Sequence, residues 1–195
     1  PEGRWPSLDD IVFLPANLSR LVIDPYREAC SIDVSLGRDT PTLQLPFLVS
    51  GFDTVPEQVQ KALGRALQTT GTGYIGKQRI ADNIVWIQWV DDVSPVDPVA
   101  TGYVVPWSRA AQCLTDRQHD AFTGIAVSRL EEIEDAVEFA LASNIDALFL
   151  DGIDGLSDPG NELSQQPRFD LLPYTVSTLR RRRQEEQITL IYAGG

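Results

Sequence analysis

Short apolar runs alternate along this chain with stretches whose apolar residues recur at helical spacing. Phe47-Leu48-Val49 reads as a buried strand that ends in a turn at Ser50-Gly51. Behind it, Thr54 serves as a cap and Pro56 takes the first helical position. The stripe Val59, Ala62, Leu63, Ala66 and Leu67 predicts the helix that follows. Gly71 ends it in a left-handed cap, and Gly71 to Gly76 forms a second, glycine-rich strand. Pro46 to Lys77 is thus a strand–helix–strand unit, of the kind that binds phosphorylated ligands in α/β folds.

The same alternation continues. Asn83 to Val90 carries β-branched and aromatic residues on both faces and reads as a strand buried on both. Trp86 and Trp89 within it are assigned to core packing. Residues 91–120 read as loop, with a strand at Gly102 to Val105 and a short helix near Arg109 to Leu114. Gly124 to Val127 is a strand. Ser128 to Glu131 then fits a capping box ahead of a helix with apolar stripe Leu130, Ile133, Val137, Ala140 and Leu141, closed at Asn144. Ile145 to Leu150 is a buried strand ending at Asp151-Gly152. Asp170 to Arg183 is a helix, and Ile188 to Ala193 is a strand ending at Gly194-Gly195. Strands alternating with helices predict parallel β/α units in an α/β fold.

Residues 1–45 are less regular and read as a lead-in segment of the same domain, with residues 46–195 forming the β/α units. A short helix near Ser7 to Asp10, a turn at Asp24 to Arg27, and a hairpin pairing Cys30 to Leu36 with Thr40 to Leu45 are predicted there. A strand with a Gly-Gly exit normally leads into another element, so the chain reads as shortened or incomplete at its C-terminus.

Composition narrows the function. A net charge of −12 and a pI near 4.4 argue against nucleic-acid binding, which needs basic surface. Cys30 and Cys113 are too few and too dispersed for an all-cysteine metal or iron–sulfur site, and read as reduced thiols of a cytosolic protein. No apolar run is long enough to span a membrane as a helix.

In parallel β/α folds, chemistry collects at strand C-termini. Those predicted here are Ser50-Gly51, Gly73 to Gly76, Asp151-Gly152 and Gly194-Gly195, and their glycines let a backbone approach a ligand. Asp151, Asp154 and Asp158 lie near glycines, but their spacing fails the calcium-loop pattern, so no metal is expected. His119 is the single histidine and reads as a surface residue. The Arg180 to Arg183 run is the exposed end of a helix, paired with Glu185 and Glu186.

The order of these pieces resembles the FMN-binding barrel domain of glutamate synthase and its stand-alone relatives. The likeness rests on Leu8 to Leu21 (LDDIVFLPANLSRL), Asp24 to Glu28, the strand PFLVSGF, the helix EQVQKALGRALQTTGTG, the strand–loop ALFLDGIDG and the final LRRRRQEEQITLIYAGG. It implies a TIM-type (β/α)8 barrel with FMN at the strand C-termini, where an imine made from 2-oxoglutarate and ammonia is reduced to glutamate. Ser50, Gly51, Thr72 and Gly73 would then contact the flavin, with Asp151 and Gly152 at a further strand end, and Gly194 and Gly195 would join the phosphate site. An electron-donor or glutaminase-type partner protein is implied, and an oligomer is compatible with the pattern.

The chain also departs from that pattern. Tyr74 to Arg79 replaces the family's N-T-G-E-G-G loop, and Asp154 to Pro159 replaces a Gly-Gly-Thr-Gly-Ala run. The lysine expected on the mid-barrel strand is missing from Gly124 to Ser128, and the three clustered cysteines of a 3Fe-4S centre are absent, so no cluster is expected. Two readings follow. One is a degenerate glutamate-synthase-like flavin oxidoreductase. The other is a non-catalytic barrel-fold partner or regulatory subunit.

Overall fold

The computed structural model describes residues 32–37, 41–91, 96–114, 121–156 and 166–194. The chain divides into two units, Pro1–Ser31 and Ile32–Gly195, and every described residue belongs to the second. The expectations placed on Ser7 to Asp10, Leu8 to Leu21, Asp24 to Glu28, Cys30, His119, Asp158 and Gly195 lie outside the described residues.

Two short strands, β1 (Val34–Ser35) and β2 (Thr42–Leu43), pair antiparallel as the predicted hairpin. The rest is a β/α succession. It runs β3 (Leu48–Val49), α1 (Glu57–Thr70), β4 (Gly73–Gly76), β5 (Val85–Trp89) and β6 (Gly102–Pro106). A 3₁₀ turn at Trp107–Arg109 leads into α2 (Ala110–Cys113). Then come β7 (Phe122–Val127), α3 (Ile133–Ala142), β8 (Ala147–Asp151), α4 (Leu171–Arg182) and β9 (Thr189–Ala193). Strands β3 to β9 form one seven-stranded sheet in strict sequence order. Every neighbouring pair in it is parallel.

Side chains alternate across this sheet with the period of a strand. One face carries Ile75, Ile87, Trp89, Val104, Phe122, Ala126, Ala147 and Phe149, joined by Leu36 and Leu43 of the hairpin and by Leu156. The other face carries Tyr103, Val105, Ile125, Val127, Leu148 and Leu150, packed on Ile133, Val137, Leu171 and Leu179 of α3 and α4. Tyr74 and Trp86 pack on Leu67 of α1 in a smaller cluster. On the first face Gly124 leaves room for an aromatic pair. A β-carbon there would stand 2.5 Å from the Phe149 ring, which meets Phe122 edge-on at 6.3 Å.

The helices differ in detail from their sequence patterns. Pro56 is the residue before α1 rather than its first, and no side chain caps that helix. The stripe is also rotated. Val59, Ala62 and Ala66 face solvent, while Leu63, Gly64 and Leu67 face the sheet. The cause is Gln60, whose side-chain amide donates to the carbonyls of Phe52 and Asp53 at 3.1 Å each. That anchors positions 60, 63, 64 and 67 inward. Gly71 does end α1 with φ of 64°, and its N–H donates to the Leu67 carbonyl.

Ser128 does not cap α3. A 3₁₀ turn at Leu130–Glu132 precedes the helix, whose cap position is Glu132 and makes no side-chain bond. The arginines of α4 pair across to α3, Arg181 with Glu134 at 2.7 Å and Arg182 with Glu138 at 3.3 Å, instead of with Glu185 and Glu186.

Candidate functional site

The parallel order puts the exits of all seven strands, β3 to β9, at one end of the sheet. Ser50, Gly51, Asp151, Gly152 and Gly194 stand at that end. Thr72 and Gly73 do not. Gly73 opens β4 and pairs with Leu48, so both lie at the N-terminal end of the strand. The Thr72 hydroxyl donates to the Phe47 carbonyl, and a β-carbon at Gly73 would crowd Leu48 and Leu43. Gly76 is the residue of that strand nearest the site end.

At the exit of β8, Asp151 is buried and faces inward. Its Oδ1 accepts the Gly155 N–H at 2.9 Å and its Oδ2 accepts the Leu156 N–H at 3.0 Å. Burial pushes its carboxyl above the ordinary value. The N–H groups of Leu156, Gly155 and Ile153 oppose that shift, and the neighbouring Asp154 adds to it. The loop therefore closes on its own carboxylate, and Leu156 folds into the apolar face of the sheet. Gly152 packs directly on Tyr192 of β9, where a β-carbon would collide with the phenol oxygen. Tyr192 in turn stacks on Phe169, with centroids 6.2 Å apart.

Arg168 joins the exits of β7 and β8. Its guanidinium donates to the Ser128 carbonyl and pairs with Asp154 at 3.4 Å, while its N–H donates to the Gly152 carbonyl at 2.9 Å. At the exits of β3 and β4, Asp53 Oδ1 accepts the N–H of Lys77 at 2.9 Å, the N–H of Gln78 at 3.4 Å and the phenol of Tyr74 at 3.2 Å. Burial, reinforced by the Asp53 charge, raises the Tyr74 phenol well above its usual range. Lys77 Nζ pairs with Asp91 at 2.5 Å. The sequence reading missed Asp53, Lys77 and Arg168. A lone aspartate four residues past a strand was the available signal for the first.

A cavity of about 390 Å³ lies between the two ends of the sheet. Leu48 and Ser50 line it from β3 and its exit, Ile191 and Ala193 from β9, and Leu36 and Leu43 from the hairpin. Ser50 and Gly194 of the expected site line it too. Strands at opposite ends of the sheet order share this cavity, so the sheet curls toward closure. None of the described residues lining it is charged. Among the described residues there is no group of histidine, cysteine or carboxylate side chains able to hold a metal ion. No described helix is long and apolar enough to cross a membrane.

A protein of Rhizobium meliloti (strain 1021) named glutamate synthase large subunit-like protein is 34% identical to this chain over 75 residues. The relationship is to a glutamate-synthase-like protein, and it is distant. The match covers 35% of this chain and 17% of the relative. No family model matches the chain, and no solved structure matches it. Similarity to this relative accords with the parallel β/α succession, a sheet of the kind found in barrels.

Proposed function

We propose that this chain is a (β/α)-barrel domain of glutamate-synthase type that acts as a non-catalytic partner or regulatory subunit. The observation that carries the reading is the Asp151 carboxylate. It takes the Gly155 and Leu156 N–H groups, the kind of donors a phosphate needs at a strand exit. Its acidic group beside those donors disfavours an anion at this exit.

Two further observations agree. Among the described residues, the cavity at the sheet's seam offers no cation to an FMN phosphate. On β7 the inward position near the exit is Ala126, so no lysine on that strand stabilises a reduced flavin. The described residues do not fit FMN, and no catalytic step is assigned through it. The flavin reading keeps one point in its favour, since Ser50 and Gly194 do line a common cavity. The partner class is an electron-donor or glutaminase-type protein of a glutamate-synthase-like assembly.

Mixing the purified chain with FMN and following flavin fluorescence tests the proposal. Fluorescence stays unquenched under this reading. Quenching to a stoichiometric end point, with flavin then reduced by a pyridine nucleotide or ferredoxin donor, restores the oxidoreductase.

A further inference from the structure

The β1–β2 hairpin crosses the entry end of the sheet and is fastened on both sides. On one side the Gln44 N–H donates to the Gly71 carbonyl at 2.9 Å, just ahead of β4. The buried Leu43 beside it reaches Gly73 of that strand. On the other side the Gly37 N–H donates to the Thr189 hydroxyl of β9 at 3.4 Å. Gly37 has a φ of 77° and lies close against the chain, so that a β-carbon there would stand 3.1 Å from Asp146 and 3.2 Å from Phe122. Leu36 is buried with Phe122, Ala147 and Phe149 in the inner cluster.

Both anchor points are themselves fixed. Asp146 ties three strand entries together. Its Oδ2 accepts the Thr123 N–H at 2.8 Å and the Thr123 hydroxyl at 3.0 Å, and its carbonyl accepts the Thr189 N–H at 3.0 Å. Gly71 is the left-handed cap that joins α1 to β4. Between the anchors the hairpin is stiffened by the pairs Val34 with Leu43 and Ser35 with Thr42, and by the Leu36 N–H donating to the Pro41 carbonyl at 2.7 Å.

Lengths decide what this does to the sheet. Strands β4 and β9 are five steps apart in the sheet order. Laid flat, five steps would separate their entries by about 24 Å. The hairpin runs one strand spacing from Gly37 across to Pro41, then three residues along to Gln44, about 11 Å end to end. Even with a hydrogen bond at each end it falls short of the flat span. Both contacts therefore close only on a curled sheet.

We infer that the hairpin is a conformational clasp that sets the curl of the sheet, pivoting at β4 and latching on β9. The latch is the weaker end, one hydroxyl acceptor at 3.4 Å against a main-chain bond at 2.9 Å at the pivot, and it opens first. Curl decides how near the exits of β3 and β4 come to those of β8 and β9, and so whether one ligand can touch both groups. The clasp thus acts from the entry end on the opposite end of the sheet. It does so for either reading of those exits, and the flavin assay leaves it untouched.

Nitroxides carried on a ketone-bearing residue in place of Thr69, exposed ahead of β4, and Glu186, exposed ahead of β9, measure the span while both cysteines stay as they are. Gly37→Ala sets a β-carbon on a left-handed backbone and against Asp146. Thr189→Val removes the hydroxyl and keeps the side-chain shape. Each variant lengthens the electron–electron distance, or adds a population longer by about one strand spacing. Should the variants fail to fold, the labelled chain with Gly37 and Thr189 intact decides the matter in urea. There the distance lengthens as the Gly37 amide loses hydrogen-exchange protection, before the amides of β7 and β8 do. An unchanged distance in both folded variants overturns the inference. So does a distance that moves in urea only together with the β7 and β8 amides.

Discussion

Asp151 holds the backbone of Leu156 at 3.0 Å, and the Leu156 side chain is in turn buried in the inner apolar cluster. One carboxylate thus shapes the β8 exit loop and plugs the sheet's inner face with the residue it anchors.

This contact has a pH signature. The Asp151 carboxyl is raised above its ordinary value of 3.8. A raised carboxyl makes its full contribution to stability below the unfolded value, and that contribution is lost as pH rises through the folded one. Stability measured by denaturant unfolding across this acid range will therefore fall more with rising pH in the parent than in Asp151→Asn. A parent curve that rises relative to the variant over that range refutes the assignment.

Tyr192 carries a buried phenol oxygen with no hydrogen-bond partner among the described residues. Removing an unpaired buried hydroxyl costs nothing or gains stability, so Tyr192→Phe is expected to be neutral or stabilising by up to about 1 kcal/mol. Gly152→Ala destabilises by about 1–3 kcal/mol through overpacking against that same oxygen. The double variant recovers part of the loss, and a double-mutant cycle from urea unfolding measures the coupling. Strict additivity would mean that the two residues do not touch as described.

Asp53 gathers two backbone N–H groups and the Tyr74 phenol at the β3–β4 exit. Asp53→Ala leaves the fully buried Tyr74 without this acceptor and should cost about 1–3 kcal/mol. Tyr74→Phe in the Asp53→Ala background should then restore stability, which thermal unfolding can follow.

Much of this architecture was legible in the residues. The runs at Phe47 to Val49, Asn83 to Val90 and Ile145 to Leu150 each contain an observed strand, because buried parallel strands read as continuous apolar segments. The rotation of α1 was not legible. It depends on Gln60 reaching carbonyls in the preceding turn, a contact that helical periodicity does not encode. The pairing of Arg181 with Glu134 escaped for a related reason, since it joins two helices that only the sheet brings together.

The positions of the candidate residues were legible in part. Ser50 and Gly194 line one cavity at the exit end of the curled sheet. Gly73 to Gly76 was read as a strand exit and the resemblance set Thr72 and Gly73 beside the flavin, yet the chain is still entering β4 at Gly73, and a run of glycines gives no direction. Asp151 was placed at a strand end from the sequence. What it bonds depends on the fold-back of residues 152–156, which side-chain type alone does not announce.

The central claim is the proposal that the described strand exits hold no phosphate cradle for a flavin. Equilibrium dialysis of the full chain against FMN, with riboflavin in parallel, tests it most directly, because the two ligands differ only by the phosphate. The account predicts a colourless protein that retains neither ligand above background. Retention of FMN at one per chain, with riboflavin lost, would contradict it.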